Sequence, residues 1–152
     1  MTRRLTAGMP IVALIGLALL AVPRVVLHDL GIIEEGTFVN LLFVFVPPVI
    51  WIVVVLTRRV PNPFLTLLII GALYGVFLAI THQLLWDLSW AGSPPTLGGN
   101  LSTLPPAAHA AITRGFAVIS SLLTGLIVGA VTGLAGWLIS RISGRIRMNR
   151  VR

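Results

Sequence analysis

Residues 64–86 read FLTLLIIGALYGVFLAITHQLLW, a stretch of chain without a single Arg, Lys, Asp or Glu. An α-helix rises about 1.5 Å per residue, so about 20 apolar residues cross the hydrocarbon core of a lipid bilayer. This stretch is therefore long enough and apolar enough to be a transmembrane helix.

Three other stretches have the same character, at residues 9–27, 38–56 and 115–139. The 152-residue chain is 57% hydrophobic and only 10% charged, whereas soluble domains carry about 25% charged residues. A small soluble protein cannot bury so much apolar surface. The sequence therefore predicts an all-α, four-helix transmembrane bundle that forms a single integral membrane domain over residues 1–152. The first stretch follows a basic start, but no clean small-x-small cleavage site precedes Pro23, so we expect a retained span.

The connections between the four spans differ in length. Residues 28–37 and 57–63 are short, and the second contains the turn Pro61-Asn62-Pro63. The connection at residues 87–113 holds paired prolines and glycines, which predict an irregular outer loop of about 27 residues. Residues 140–152 form a basic tail.

Arginine placement predicts the orientation of the bundle. Nine of the eleven arginines lie in the N-terminus, the second connection and the tail, and all four acidic residues lie in the other two connections. Because positive residues remain on the cytoplasmic side, both termini are expected there. The expected location of this multi-pass protein is a bacterial plasma membrane. The net charge of +7 is thus explained by helix ends, and no nucleic-acid partner is expected.

Glycines mark the helix surfaces that we expect to be packed. Lipid tails are as apolar as Leu, so helices in a bilayer associate where small residues let their backbones approach. The sequence leaves open whether the packing partner belongs to this chain or to a second copy. The glycines are Gly71 and Gly75 in the third span and Gly125, Gly129, Gly133 and Gly136 in the fourth.

Pro47 and Pro48 lie near the middle of the second span. Proline has no N–H, so the carbonyls of Phe43 and Val44 lose their usual partners. Such carbonyls must face protein, water or a ligand. The pair therefore predicts a helix break, which either builds a binding site or is repaired by neighbouring helices, and Asn40 could take part in both cases.

His82 is the main candidate for chemistry within the membrane, with Gln83 beside it and Asp87 at the outer boundary. It would act as a proton relay, a ligand or a substrate contact, or else as a neutral imidazole bonded across helices. Arg24, near the outer end of the first span, either pairs with an outer carboxylate or extends to the lipid headgroups.

The sequence predicts neither a metal site nor a cofactor. Cysteine is absent, and His28, His82 and His109 have none of the close spacings that metal sites use, although they could meet on the outer face. An enzyme or a haem or metal protein at that face is thus the weakest of the functional hypotheses.

The basic tail is expected to contact anionic lipid headgroups, where each arginine gains roughly 1 kcal/mol. Trp86 and Trp90 at the outer boundary and Trp137 near the inner one are typical interfacial anchors. The tail arginines are Arg141, Arg145, Arg147, Arg150 and Arg152.

Two classes of function fit these features. The first is a non-enzymatic accessory or interaction component of the membrane, whose partner is another membrane protein. The second is a small homo-oligomeric channel or transporter that uses Pro47, Pro48 and His82. Four spans are too few for a thick-walled pathway, so the second class requires several copies of the chain.

Overall fold

The computed structural model describes the backbone of residues 8–149 and the side chains of residues 8–143. Within this range there is no strand, and the helices are α1 (Ile11–Leu19), α2 (Val22–Asp29), α3 (Phe38–Thr57), α4 (Pro63–Leu84), α5 (Trp86–Ser89) and α6 (Pro106–Asn149), with one 3-10 turn at Gly99–Leu101. Four stretches are long and apolar enough to cross a membrane, which confirms the prediction of an all-α, four-span protein. They are Ile11–Asp29, Phe38–Thr57, Pro63–Leu84 and Pro106–Ser143.

The first span is interrupted between α1 and α2. Pro23 has no N–H, so it cannot donate to the carbonyl of Leu19 as a residue in a regular helix would. The amides of Leu20 and Ala21 bond to carbonyls three residues earlier, each at 3.2 Å. This tighter pattern is typical of a 3-10 turn, and it separates the two helical segments. The helix break that the sequence predicts lies elsewhere, in the second span.

The break expected at Pro47 and Pro48 does not occur, because α3 continues through both residues. Proline fixes φ near −65°, which is close to the helical value, so it removes hydrogen bonds without forcing the backbone out of the helix. The N-terminus of α3 is capped by Thr37, whose side chain accepts a hydrogen bond from the amide of Asn40 at 3.3 Å.

Helix α4 is the centre of the bundle, in contact with α1, α2, α3 and α6. It begins at Pro63, and Asn62 caps it by accepting a hydrogen bond from the amide of Leu65 at 3.1 Å. Side chains from α2, α3 and α4 fill the space between the helices. The largest of those that are fully buried are Val25, Trp51, Val55, Thr66, Leu67 and Ile70.

The glycines of α4 and α6 face each other within the chain. A Cβ atom added at Gly71 would lie 2.5 Å from the carbonyl oxygen of Gly125 and 2.6 Å from the amide nitrogen of Gly129. A Cβ atom at Gly75 would lie 3.0 Å from the carbonyl oxygen of Ser121. The two backbones are therefore so close that only glycine fits at Gly71, and a side chain at Gly75 would require α6 to shift. Further along the same seam, added Cβ atoms would meet Phe64 at Gly133 and Leu67 at Gly136.

Helix α6 is much longer than the span expected at residues 115–139. It contains 44 residues, which gives a length of about 66 Å against a hydrocarbon core of about 30 Å. Pro105-Pro106 suggested a loop, but proline is favoured in the first turn of a helix, and the residues after it are rich in alanine, the best helix former. The irregular connection is correspondingly shorter than residues 87–113, and the backbone of the tail is helical as far as Asn149.

The bundle has two chemically different ends. We call the end that holds Asp29, Glu34, Glu35 and Asp87 the acidic end, and the end that holds Arg58, Arg59 and Arg141 the arginine-rich end. Gly8 lies against Val60, and Ser143 shares a cavity with Arg59. Both ends of the described chain therefore lie at the arginine-rich end.

Candidate functional site

His82 is bonded to a carboxylate from another helix. Its Nδ1 lies 2.6 Å from Oδ2 of Asp29, and only 6% of the Asp29 side chain is exposed. His82 comes from the last turn of α4, and Asp29 is the last residue of α2. His82 is the candidate that the sequence predicts, and its carboxylate partner is Asp29, whereas Asp87 pairs with Arg114.

A second imidazole and a second carboxylate extend this pair. His28 Nδ1 lies 3.6 Å from Oδ1 of Asp29, and His28 Nε2 lies 3.3 Å from Oε1 of Glu35. The chain therefore forms a row of alternating carboxylates and imidazoles at the acidic end, in which Asp29 is the most deeply buried group. Carboxylates at the edge of an apolar bundle need such partners, because desolvating an unpaired charge is costly.

A cavity of about 380 Å³ lies beside the pair. It is bounded by α2, α4, α5 and α6, and its lining includes Asp29, His82, Trp86, Trp90, Ser89 and Ser120. The two tryptophan rings are neighbours, with centroids 6.1 Å apart. Polar groups and aromatic walls thus meet in one concave space, which is the usual composition of a small-molecule site.

Ser89 contributes an unsatisfied hydroxyl to this region. Its Oγ atom is buried and has no hydrogen-bond partner among residues 8–143. Buried polar atoms are nearly always bonded, and each exception needs a physical reason. The sequence does not single out Ser89, because this residue lies beyond the third span, in the stretch where an irregular loop is expected.

Arg114 contacts the other two polar candidates, Gln83 and Asp87. It lies 3.3 Å from Oδ1 of Asp87 and 3.5 Å from Oε1 of Gln83, and its carbonyl accepts a hydrogen bond from Gln83 Nε2 at 3.3 Å. Its guanidinium carbon also lies 4.9 Å from the centre of the Trp86 ring. These contacts join the end of α4 and the start of α5 to α6.

Among residues 8–143, Arg24 pairs with no carboxylate. Its Nε donates a hydrogen bond to Oδ1 of Asn40 at 3.0 Å, and Asn40 is 5% exposed. The carboxylate pairing offered as one alternative for Arg24 is therefore wrong, and an amide of α3 takes that place. The candidates Arg24 and Asn40 form a separate polar contact between α2 and α3.

His28 and His82 meet at Asp29, and His109 does not join them. His109 Nδ1 accepts a hydrogen bond from the amide of Leu97 at 3.0 Å, which ties the long connection to the start of α6. Among the described residues there is no group of three or more His, Cys, Asp or Glu side chains that could hold a metal ion.

At the arginine-rich end, Arg141 of the tail contacts Trp137. The guanidinium carbon of Arg141 lies 5.3 Å from the centre of the Trp137 ring. Such stacking keeps a cation at the level of an interfacial tryptophan. The side chains of Arg145 and Arg147, and Arg150 and Arg152 altogether, lie outside the described residues.

Over the described residues, the fold and these contacts define a class: an α-helical protein with four stretches that are long and apolar enough to span a membrane and with a polar cavity at its acidic end. No protein-family model matches the chain, and neither a curated protein nor a solved structure is significantly similar to it. The function must therefore be argued from the site and the surface.

Proposed function

We propose that this protein is a non-enzymatic accessory or interaction component of a membrane, and that it works through its surface. The filled interior carries this proposal. Trp51, Val55, Leu67 and Ile70 have no exposed area, and α4 and α6 are in backbone contact at Gly71 and Gly125. A bundle whose described core is filled in this way favours a role at the surface over a solute pathway through a single copy.

The surface of α6 supports the same proposal. Opposite the glycine seam, exposed apolar side chains recur every three or four residues over the length of the bilayer. Such a face fits lipid or the helix of a membrane partner. The side chains are Phe116, Ile119, Leu123, Ile127, Val131, Leu134, Leu138 and Ile142.

Photo-crosslinking in native membranes tests this proposal. A photoreactive phenylalanine analogue is placed at Ile127 on α6 and, as the comparison, at Val49 on α3, which are 62% and 56% exposed. We expect a discrete adduct with one other membrane protein from one of these two faces. Adducts with lipid alone at both positions would contradict an interaction role.

A homo-oligomeric channel or transporter is the second candidate, and the His82–Asp29 pair with its cavity favours it. In this case the crosslinked adduct would be a dimer of the chain, and vesicles containing the purified protein would show solute or ion flux. That flux would disappear in His82→Ala while the helical content was retained. A monomer without flux would remove this candidate.

We further propose that the arginine-rich end faces the cytoplasm of a bacterial cell. The arginine distribution supports this orientation, and the basic tail would then contact anionic headgroups of the inner leaflet.

Single-cysteine labelling tests the orientation, because the natural chain contains no cysteine. Ser93 lies in the connection at the acidic end, Thr57 lies next to Arg58, and both residues are exposed. With a membrane-impermeant maleimide, we expect Ser93→Cys to be labelled in intact cells and Thr57→Cys only after lysis. The reverse pattern would mean that the bundle is inserted the other way round.

A further inference from the structure

The cavity at the acidic end presents hydrogen-bond acceptors at Asp29 and His82. Because Nδ1 of His82 is 2.6 Å from Asp29, a neutral imidazole places its proton on Nδ1, and its Nε2 becomes an acceptor. Asp29 itself has about four acceptor positions, and its one hydrogen bond among the described side chains is with His82. Asp29 can therefore accept hydrogen bonds from a molecule bound here.

The charge balance points to a cation. Four carboxylates lie at the acidic end, and the two arginines nearby are engaged away from Asp29: Arg114 pairs with Asp87, and Arg24 bonds to the neutral Asn40. Asp29 consequently has no arginine partner within the described part of the chain. Imidazole groups are its charged or polar side-chain partners there, and a largely buried carboxylate attracts a cation more strongly than an exposed one does.

The aromatic walls are suited to an organic cation. Trp86 and Trp90 line the same cavity as Asp29, and tryptophan has the ring that binds ammonium groups best. The Trp86 ring already contacts a cation, because the guanidinium carbon of Arg114 lies 4.9 Å from the ring centre. Trp90 is 44% exposed and has no such partner among the described residues.

The unbonded hydroxyl of Ser89 is the independent sign of a missing partner. Its Oγ is buried without a hydrogen bond, and the residue lines the cavity that also holds Asp29 and His82. A bound ammonium group would supply an N–H donor for a serine oxygen after a small adjustment of the side chain. This would remove the cost of a buried, unsatisfied polar atom.

We propose that this cavity binds the primary ammonium group of a small amine, with Asp29 and His82 as its hydrogen-bond acceptors and Trp90 against its methylene carbons. In the proposed membrane arrangement the acidic end lies at the level of the headgroups, so the ammonium can belong to an aminophospholipid or to a soluble amine. The proposal does not depend on a protein partner, and it applies to a monomer as well as to an oligomer.

Binding to the purified full chain tests the proposal with two probes. Ethanolamine is titrated by calorimetry as the soluble amine. Retention of phosphatidylethanolamine over phosphatidylglycerol is measured by native mass spectrometry as the lipid arm. We expect binding of at least one of these ammonium probes. Ethanolamine binding without lipid retention identifies a soluble ligand, and lipid retention without ethanolamine binding identifies a headgroup site.

Asp29→Asn is the decisive variant, because it removes the charge and keeps the shape of the side chain. We expect the affinity to fall at least about tenfold, as for the loss of a charge-assisted hydrogen bond. Glu34→Gln is the matched control: it removes an exposed carboxylate of the neighbouring connection that does not line the cavity, and the affinity should stay within about twofold.

Trp90→Leu keeps the test decisive if Asp29→Asn does not fold. Trp90 is 44% exposed and lies outside the core, so its replacement should leave the bundle intact, and the loss of the ring should weaken ammonium binding about threefold. Two results would overturn the proposal: failure of both ammonium probes to bind the wild-type chain, or binding that the folded variants leave unchanged. Tighter binding of inorganic phosphate than of ethanolamine would also overturn it.

Discussion

Gly125→Ala is expected to lower the free energy of unfolding by about 3 kcal/mol, the upper part of the range for overpacking a close contact. The added methyl group would lie 2.5 Å from the amide nitrogen of Gly75. This neighbour belongs to the backbone of α4 and cannot rotate away, so α4 and α6 must separate. The loss is measured as the shift of the unfolding midpoint in an SDS titration followed by circular dichroism.

Gly115→Ala provides the control on the same helix. A Cβ atom at Gly115 would have nothing within 4 Å, and alanine is about 1 kcal/mol better than glycine in a helix. The control should therefore unfold at the same SDS concentration as the wild type or at a higher one. Equal effects of the two substitutions would mean that α4 and α6 are not in backbone contact at Gly125.

The sequence was informative wherever the signal is local. Hydropathy depends on a run of residues and not on their neighbours in space, so the existence of four spans could be predicted. The glycines could be recognised as packing residues from their four-residue spacing, because spacing alone places them on one face of a helix. Their partner could not be recognised, since it depends on how two helices are rotated against each other.

The errors at the proline residues have a common cause. A proline is compatible with the first turn of a helix, as at Pro106, and with a helix interior in which neighbours tolerate the lost hydrogen bond, as at Pro47. At Pro23, by contrast, the first span is interrupted between α1 and α2. The outcome is determined by which side chains can reach the released carbonyls, and that is a property of the tertiary structure.

The candidate site was only partly predictable. His82 could be identified because an ionisable group within an apolar span is a functional candidate in itself. Asp29 belongs to another helix, and its pairing with His82 requires both the depth and the rotation of α2. A signal was nevertheless present: Asp29 is the first acidic residue after the first span, at the same end of the bundle as His82.

Trp51→Ala is expected to lower the free energy of unfolding by about 4 kcal/mol, as usual when a large buried ring is removed from a core. Trp51 has no exposed area, and its ring packs edge-on against Tyr74 with centroids 5.9 Å apart. Its indole N–H also donates to the carbonyl of Leu17 at 2.7 Å. Leu17 lies just before the interruption of the first span, so Trp51 both fills the core and bonds to the segment where the helix ends.

Trp51→Phe separates these two roles, because phenylalanine keeps an aromatic ring and removes the indole donor. We expect a smaller loss of about 1–2 kcal/mol, the cost of a hydrogen bond to a buried carbonyl. This variant should also speed amide hydrogen exchange at Leu20 and Ala21, whose turn the indole supports. The control is Trp137→Phe: Trp137 is 40% exposed and should shift the SDS midpoint little. If Trp51→Phe matched that control in both measurements, the indole bond to Leu17 would not stabilise the interrupted span.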